Sequence, residues 1–219
     1  FKKFPRFYYF LIRVVSPVYG DWSKITGFVK SQDGLVLNIG SGNFPRQKEV
    51  VNVDMMPYEN VDIVCDIHRL PFKDNSIDAV MSVAVLEHVR EPALVLKEVK
   101  RVLKPGGRIF SAIPFMQPFH ASPHDYQRYT LPGIEYLHRD FEKVESGVIA
   151  GPVSGALWVL QECAASIFSL GIPLIRNILT IIFMLLTWPI KLLDIFASRL
   201  KTAENTASSF YFHGRKIDV

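Results

Sequence analysis

The sequence predicts a doubly wound α/β domain built on a mostly parallel sheet, and two observations carry that prediction. Short runs rich in β-branched and aliphatic residues recur, and several are apolar along nearly their whole length, as strands covered on both faces require. The runs are Leu35–Ile39, Val50–Asp54, Val61–Asp66, Ile77–Val85 and Arg108–Ile113. A helical pattern separates the last two runs, and strands that alternate with helices form a parallel sheet with right-handed crossovers.

The helical pattern lies in Glu91–Leu103, where apolar residues fall near a 3.6-residue spacing and charged residues occupy the rest of the turn. Pro92 suits a first helical turn because its missing N–H has no partner there anyway. The segment Lys104-Pro105-Gly106-Gly107 predicts the end of the helix, because it combines a basic residue, a helix breaker and two turn glycines.

Length and charge limit the class of protein. The 219 residues suffice for one domain with a substantial core. The net charge is +4, and residues 2–13 contribute four positive charges before the first acid, Asp21. This basic, aromatic start favours a membrane surface over nucleic acid, since no basic stripe with stacking aromatics follows. Two cysteines, Cys65 and Cys163, lie far apart, which predicts buried thiols in a reducing, cytoplasmic compartment.

Polar residues with a possible binding role follow the first two strands. Gly40 and Gly42 come directly after the first strand, where glycines let the backbone approach a ligand closely. Asp54 ends the second strand, at the point where nucleotide-binding sheets place an acid that accepts the ribose hydroxyls. A plain turn for the glycines and a strand-end cap for Asp54 are the alternatives. Asp66 and Ile67 follow the third strand and suit the edge and the face of an adenine.

Four consecutive segments resemble the class I S-adenosylmethionine (SAM)-dependent methyltransferases of the broad small-molecule type. These segments read LVLNIGSGN (35–43), VVNVD (50–54), VDIVCDIHRLPFKDNSIDAVMSVAVLEHV (61–89) and LKEVKRVLKPGGRIF (96–110). The resemblance implies a Rossmann-like fold with a seven-stranded sheet and SAM as the cofactor. It also implies that Gly40 and Gly42 line the methionine end of SAM, that Asp54 holds the ribose, and that Asp66 and Ile67 contact the adenine. Residues 83–88 are expected to lie beside the methyl group. The full set of expected cofactor contacts is Asn38, Gly40, Gly42, Asp54, Met55, Asp66, Ile67, Val83, Ala84 and His88.

The sequence departs from the family pattern at several positions. Asn38 stands where the family often has an acid, and the third glycine of a dinucleotide fingerprint is absent. The connection from Gly40 to Val50 is too short for a full crossover helix. Glu87 and His88 resemble a subfamily in which an acid three residues before the glutamate completes a metal site. That position is Ala84, so the sequence predicts no metal.

The loop after the fifth strand, residues 114–130, is predicted to handle the methyl acceptor. It leaves the carboxyl edge of the sheet, where such folds place their ligands. His120 and His124 are the candidate general bases, with Asp125 as an orienting partner. Substrate contacts are expected from Tyr126, Arg128 and Tyr129, with the arginine as an anion clamp. A structural loop with mutually satisfied polar groups is the alternative. The loop also resembles that of a bacterial branch associated with glycan or lipid modification.

The sequence predicts an apolar insert between the last two strands, which fit residues 141–149 and 207–216. The expected division is an N-terminal helical segment (1–30), a methyltransferase domain (31–149 and 207–219) and a helical insert (150–206). Because both ends of the insert return to one sheet, a helical hairpin at about 153–170 and 173–198 is expected rather than a single membrane pass. This hairpin suits the membrane interface, and a homodimer surface or an internal core is the alternative.

The sequence therefore predicts an enzyme that transfers a methyl group from SAM to a hydroxyl or carboxylate. The acceptor is expected to be a small molecule, a glycan or a lipid-linked compound at the cytoplasmic face of a membrane, and no nucleic acid is involved. The rival hypothesis is a non-catalytic, membrane-associated module that keeps the methyltransferase fold. Asn38 and the missing third glycine favour this rival.

Overall fold

The computed structural model describes residues 16, 18–43 and 50–217. The shortened first crossover helix that the sequence predicts falls on residues 44–49, outside the described residues. The first half of the predicted N-terminal helical segment (1–30) lies mostly outside them too.

Seven strands form one sheet in the order β3-β2-β1-β4-β5-β7-β6. The four pairs β1–β2, β1–β4, β2–β3 and β4–β5 are parallel. This confirms the predicted fold class. The strands are β1 (Val36–Ile39), β2 (Val50–Asp54), β3 (Ile63–Val64), β4 (Ile77–Val83), β5 (Leu103–Pro114), β6 (Phe141–Ala150) and β7 (Ser209–Lys216).

The strand order reverses at β1, and this reversal fixes where a ligand can bind. The chain runs from β1 outward to β2 and β3, and then returns to β4 on the other side of β1. In open sheets of this kind, ligands bind outside the carboxyl ends of the strands at such a switch point. The residues that directly follow β1 and β4 are therefore the first candidates for a binding site.

Six α-helices lie in the described part of the chain, and their ends follow local rules. Helix α1 starts after Asp21, whose side chain accepts a hydrogen bond from the Ser23 backbone N–H at 3.1 Å. Helix α2 has a proline in its first turn and basic residues in its last, as its sequence predicts. The helices are α1 (Trp22–Lys30), α2 (Pro92–Val102), α3 (Leu131–Leu137), α4 (Pro152–Phe168), α5 (Pro173–Thr187) and α6 (Asp194–Ala197).

The start of β5 differs from the sequence prediction. The segment that was expected to be a turn belongs to the strand, which begins at Leu103 directly after α2. Leu103 pairs with Ile77 and Arg108 pairs with Ala79, so the intervening residues bulge out of the ladder. Gly106 has a φ of +71° within this bulge. The helix ends before this segment, as predicted, and only the predicted start of the strand at Arg108 was wrong, because the same breaker residues also fit a bulged strand.

The third and fourth strands are shorter than predicted. Strand β3 covers only Ile63–Val64, and β4 ends at Val83. Asp66 therefore lies in the turn after β3 rather than at its last position. Its carboxylate accepts a hydrogen bond from the His68 backbone N–H at 2.9 Å. A side chain that bonds its own backbone two residues ahead stabilises a turn in place of an extended strand.

The chain forms two compact units. One contains residues 21–114, 120–147 and 210–219, and the other contains residues 115–119 and 148–209 together with the described residues before Asp21. The first unit carries most of the sheet. The second unit carries α4, α5 and α6, and the proposed boundaries of the insert stay a prediction.

A buried acid organises the second unit. The Asp194 carboxylate accepts hydrogen bonds from the backbone N–H groups of Val153 at 2.9 Å and Ser154 at 2.8 Å, at the start of α4. A carboxylate at a helix N-terminus satisfies orphan donors and interacts favourably with the helix dipole. Gln161 on α4 also donates to the Thr187 hydroxyl at 2.6 Å. These bonds hold the two arms of the predicted hairpin together.

Helix α5 is apolar yet exposed within its unit. None of its residues is buried, and exposed leucines and isoleucines include Leu174, Ile178, Ile181 and Leu186. The span Pro173–Ala197 has a mean hydropathy of 1.9 and is long enough to cross a membrane by length and composition alone. One such helix is weak evidence of a membrane protein, and the core helix of a soluble protein passes the same test.

Candidate functional site

The loop after β1 requires its two glycines for different reasons. Gly40 and Gly42 have φ values of +67° and +57°, a backbone conformation that favours glycine. A Cβ on Gly40 would also lie 2.5 Å from the Val85 side chain, so this position has no room for a side chain. Among the described residues, nothing lies within 4 Å of a Cβ placed on Gly42, so its backbone is open toward them. Open backbone at a sheet switch point suits the close approach of a ligand.

The Asp54 carboxylate shapes this loop. Its Oδ2 atom accepts the Gly42 backbone N–H at 2.8 Å, and its Oδ1 atom accepts the Met56 backbone N–H at 2.9 Å. The residue is only 9% exposed, whereas the neighbouring Met55 is 64% exposed. Asp54 is therefore a cap of its own loop, as the alternative interpretation held. Each carboxylate oxygen keeps a further lone pair, so the cap leaves room for the two ribose hydroxyls.

Three asparagine side chains form a chain of hydrogen bonds that supports the loop after β1. Only Asn38 was identified from the sequence, and Asn52 and Asn60 were not. Asn38 donates to the Asn52 side chain at 3.0 Å, and Asn52 donates to the Asn60 carbonyl at 3.0 Å. Asn60 in turn donates to the Gly42 carbonyl at 3.0 Å. The Asn38 amide nitrogen is engaged in this chain, which leaves its oxygen as the acceptor for a ligand ammonium. The one available signal was the presence of amides inside otherwise apolar strands.

The predicted adenine contacts lie after β3. Asp66 is exposed, and Ile67 is buried. Hydrogen bonds from the His68 backbone N–H and ring hold the pKa of the Asp66 carboxyl below its ordinary value. An ionised carboxylate accepts hydrogen bonds and donates none. Asp66 therefore keeps acceptor capacity for an exocyclic amine such as that of adenine.

The chain turns sharply after β4. Val83 is the last residue of the strand, and Ala84 has a φ of +54°, which is uncommon for a residue other than glycine. The 3₁₀ turn Leu86–His88 follows at once. Strained backbone of this kind persists where the surrounding structure requires it, and such positions cluster at functional sites.

The loop after β5 is anchored on this 3₁₀ turn by direct hydrogen bonds. The Tyr126 backbone N–H donates to the Glu87 carbonyl at 2.9 Å. The Gln127 side chain donates to the carbonyl of Leu86, which begins the turn, at 3.2 Å and to that of Val89, which follows it, at 2.8 Å. His88 Nδ1 lies 2.6 Å from the His124 carbonyl oxygen. A carbonyl only accepts, so Nδ1 carries the proton and Nε2 of His88 keeps its lone pair.

These contacts assemble a cluster of Glu87, His88 and His120, which we call the EHH cluster. Glu87 is completely buried, and its Oε1 atom lies 3.8 Å from Nε2 of each histidine. The two imidazole rings meet edge to face at 5.4 Å between centroids. Within the described residues, neither Glu87 carboxylate oxygen has a hydrogen-bond partner. Glu87 was named from the sequence only in connection with an incomplete metal motif.

The structure separates the two candidate bases. His120 lies in the EHH cluster, whereas the side chain of His124 is exposed and its ring lies 5.5 Å from that of Tyr126. His124 contributes its backbone carbonyl to the cluster, as the acceptor of the His88 proton. Of the two, His120 is therefore the better placed to meet a reacting group.

Asp125 and Arg128 are positioned differently from the expectation. The Arg128 guanidinium forms two hydrogen bonds with the Asp125 carboxylate, and they hold the pKa of that carboxyl at about 2. His120 Nδ1 lies 3.2 Å from Arg128 Nη2 and 3.9 Å from Asp125 Oδ2. The nearest of these groups to the His120 ring is thus the arginine. Arg128 serves first as an anchor of the loop, since its charge is engaged by Asp125 rather than presented as an anion clamp.

The two tyrosines predicted to contact substrate differ in exposure. Tyr126 is 43% exposed, and the Arg90 guanidinium lies 5.7 Å from its ring centroid. Tyr129 is half-buried, and this burial raises the pKa of its hydroxyl. Its backbone N–H donates to the Pro114 carbonyl at 3.2 Å, which ties the loop to the end of β5. Their role toward a substrate stays a prediction.

The sheet order, the glycine loop after β1 and the acid at the end of β2 define the class I methyltransferase fold. The comparisons agree: residues 38–111 match the methyltransferase domain family. The SAM-dependent methyltransferase domain that the sequence predicts, and SAM as its cofactor, are thereby confirmed for this segment. The match spans the Gly40 loop, Asp54 and Glu87.

Relatives and solved structures extend this result. A demethylmenaquinone methyltransferase of Staphylococcus aureus is 30% identical over 154 residues, which are 58% of this chain and 63% of the relative. A phosphoethanolamine N-methyltransferase of Haemonchus contortus, solved with SAM, has a TM-score of 0.54 at 17% identity and covers 90% of this chain and 53% of its own. The [4+2]-cyclase SpnF has a TM-score of 0.55 at 15% identity, covering 90% and 81%.

These comparisons have a limited reach. The chain spans between 16% and 63% of the length of the curated relatives it matches. The solved structures share the fold at low identity. They therefore support the fold and the class of domain, and the acceptor has to be inferred from the residues of this chain.

Proposed function

We propose that the protein is a SAM-dependent methyltransferase that methylates a hydroxyl or carboxylate oxygen of a small-molecule, glycan or lipid-linked acceptor at a membrane surface. The observation that carries this proposal is the placement of two complementary groups after neighbouring strands. The Gly40–Gly42 loop with Asp54 follows β1 and β2, and the EHH cluster follows β4. The Gly40–Gly42 loop with Asp54 suits SAM, the methyl donor, and the EHH cluster suits the methyl acceptor.

The chain's own residues would bind and orient the donor. Asp54 accepts hydrogen bonds from ribose hydroxyls, and the Asn38 oxygen accepts one from the ammonium group of the methionine end. When bound, SAM supplies an electrophilic methyl group on a positively charged sulfonium. Methyl transfer is an in-line displacement, so the protein contributes chiefly by holding the two reacting atoms in line.

A hydroxyl acceptor also has to lose a proton, and His120 is proposed to receive it. Its imidazole lies beside a buried carboxylate, at 3.8 Å from Glu87 Oε1, and this acid stabilises a protonated imidazole. General bases of this kind contribute roughly 10²- to 10⁴-fold in rate. A carboxylate acceptor needs no base, so the dependence on His120 distinguishes the two acceptor types.

The membrane part of the proposal is supported by α5. Its exposed leucines and isoleucines form an apolar surface that the described residues of its unit leave exposed. Such a surface on an amphipathic helix is typical of binding in the plane of the interface, with the apolar face among the acyl chains. A second copy of the chain is the alternative occupant, and it would make the protein a dimer.

The rival function is a binding module that has the fold without the transfer. Asn38 and the absent third glycine favour it, and a protein named as a [4+2]-cyclase shares the fold. Calorimetry with SAM tests the cofactor half of the proposal. The deciding experiment measures radiolabelled methyl transfer from SAM to a panel of lipid, glycan and quinone acceptors. Quinones belong in the panel because the Staphylococcus aureus relative is named for one. SAM binding without any product would favour the rival.

The membrane arm is tested by flotation with anionic vesicles. Ile178→Glu and Leu186→Glu place charges on the exposed face of α5, and both are expected to reduce vesicle binding. Val144→Glu makes the same change at an exposed apolar position on β6 and is the matched control. Equal vesicle binding by all three variants, or concentration-dependent dimers that the α5 variants abolish, would overturn the membrane proposal.

A further inference from the structure

The EHH cluster has the composition of a metal centre. Glu87, His88 and His120 each offer one ligand atom, and these atoms all lie within 4.8 Å of one another. We propose that the cluster binds a divalent first-row transition metal ion, of which Zn²⁺ is the representative. The donor set of one carboxylate and two imidazoles matches catalytic zinc sites that keep a fourth position open.

The buried carboxylate is the first argument. Glu87 has no exposed surface, and both of its oxygens lack a hydrogen-bond partner among the described residues. A buried charge without compensation costs several kcal/mol, so such groups are paired or coordinate metals. An imidazole nitrogen of His88 and one of His120 each lie 3.8 Å from Oε1. A cation between these three atoms would satisfy the carboxylate.

The distances are the second argument. Zinc bonds to histidine nitrogen and carboxylate oxygen are about 2.0–2.2 Å long, so ligand atoms around a tetrahedral zinc lie about 3.4 Å apart. The two measured separations from Glu87 Oε1 are 3.8 Å. These two separations need to contract by a few tenths of an ångström, and the separation between the two histidine nitrogens, which is within 4.8 Å, also has to reach about 3.4 Å. Rotamer adjustments of His88 and His120, which are both partly exposed, are enough for that.

The supporting hydrogen bonds are the third argument. His88 donates Nδ1–H to the His124 carbonyl at 2.6 Å, which directs the lone pair of Nε2 toward Glu87. A metal-ligating histidine almost always donates its other ring N–H to a carbonyl or carboxylate. For His120 the nearest partner of Nδ1 is Arg128 Nη2 at 3.2 Å, which can only donate, and Asp125 Oδ2 lies 3.9 Å away. Ligation through Nε2 therefore requires Nδ1 to exchange the arginine contact for the Asp125 carboxylate. The third ligand thus comes from the loop, which explains why the replacement of an acid by Ala84 does not remove the site.

The role of the metal rests on the proposed function. The open coordination position would bind the acceptor hydroxyl, and the metal would lower the pKa of that hydroxyl. A histidine nitrogen that binds a metal cannot accept a proton, so in the metal-bound protein the metal takes the place of His120 in activating the hydroxyl, whose proton passes to solvent. The acceptor oxygen then forms a bond to the methyl carbon. The bond between sulfur and the methyl carbon breaks, and its electron pair stays on sulfur as the neutral thioether S-adenosylhomocysteine.

The test uses the full chain after treatment with a chelator. Titration with ZnCl₂ by calorimetry is expected to show one equivalent bound, and Co²⁺ is expected to give visible absorption bands of a four- or five-coordinate site. Glu87→Gln and His120→Ala are expected to weaken binding by more than the roughly 10- to 100-fold that loss of an outer-shell partner costs. His124→Ala is the matched control, because it removes a neighbouring imidazole and keeps the backbone carbonyl. It is expected to bind zinc like the parent protein.

The outcomes separate this inference from the proposed function. Unchanged zinc binding in Glu87→Gln and His120→Ala, or no saturable binding by the parent, would overturn the metal site. Thermal unfolding checks that the variants fold, and His120→Ala carries the test if Glu87→Gln does not, because His120 is partly exposed. Zinc binding without methyl transfer to any acceptor would leave the metal site standing and remove the proposed function. Transfer that is undiminished in the chelated protein would overturn the role of the metal in the reaction.

Discussion

Two parts of the candidate site differ in the hydrogen bonds that their acidic side chains accept. One is the Gly40–Gly42 loop with Asp54, which we call the donor loop, and the other is the EHH cluster. Asp54 accepts a backbone N–H on each of its two oxygens, and an amide chain supports the same loop. Glu87 is more deeply buried, and within the described residues it has no hydrogen-bond partner. The difference teaches that the Asp54 carboxylate is satisfied by its own loop, whereas the Glu87 carboxylate would be satisfied by the cation that we propose.

The largest expected effect is a loss of SAM affinity when Asp54 is replaced. Asp54→Ala removes two charge-assisted acceptors of the ribose and also frees the Gly42 and Met56 N–H groups, so SAM affinity is expected to fall by about 1000-fold or more. Calorimetry with SAM measures the loss, and Asp33→Ala, an exposed acid, is the control. Retained SAM affinity in Asp54→Ala would contradict the donor assignment.

The next effect distinguishes the two histidines on the acceptor side. His120→Ala is expected to lower the rate of methyl transfer by roughly 100-fold or more, because a base or ligand is lost. SAM affinity is expected to stay near that of the parent. His124→Ala is expected to lose less than tenfold, since its exposed ring lies outside the EHH cluster. Initial rates with saturating SAM separate the variants, and product formation that persists in the double variant would refute the base assignment.

His138 is a buried side chain whose two ring nitrogens both have hydrogen-bond partners, in contrast to the oxygens of Glu87 within the described part of the chain. The Nδ1 atom of His138 donates to the Ile134 carbonyl at 2.8 Å, its Nε2 lies 2.9 Å from the Ser111 hydroxyl, and burial lowers its pKa to about 4. The unfolded chain takes up this proton near pH 6.5, whereas the folded protein resists it until about pH 4. The free energy of unfolding is therefore expected to fall by up to ~3 kcal/mol as the pH drops through this window.

Urea unfolding at several pH values checks this expectation. His138→Gln keeps polar atoms near the same partners and does not titrate, so its unfolding free energy is expected to vary less between pH 6.5 and pH 4. A variant profile parallel to that of the parent would show that other groups cause the acid dependence.

The smallest expected effect concerns the edge of the donor site. Asp66 is exposed, so its contact with adenine competes with water. Asp66→Ala is expected to weaken SAM binding by roughly tenfold, the value of about one hydrogen bond to a charged group. Competition with S-adenosylhomocysteine measures it. A loss as large as that of Asp54→Ala would show that the adenine end, rather than the ribose, dominates binding.

The glycine loop after β1 and the position of Asp54 could be predicted from the sequence because their signals are local. The strand that precedes Gly40 and the acid that ends β2 each appear within a few consecutive residues. The EHH cluster could not be read, because Glu87 and His120 are far apart in the chain and meet through the hydrogen bonds of Gln127. The bulged start of β5 was missed for a related reason, since only pairing with β4 shows that Leu103 belongs to a strand.

The way the insert joins the sheet has a consequence for engineering. The Ser208 backbone N–H donates to the Ala150 carbonyl at 3.0 Å and to the Gly151 carbonyl at 3.2 Å, so the chain closes on itself at the entry and exit of the segment. The entropy of closing a loop grows only slowly with its length. A change in the length of the segment between these two residues is therefore expected to alter the loop-closure entropy only slightly, because backbone hydrogen bonds hold its two ends together.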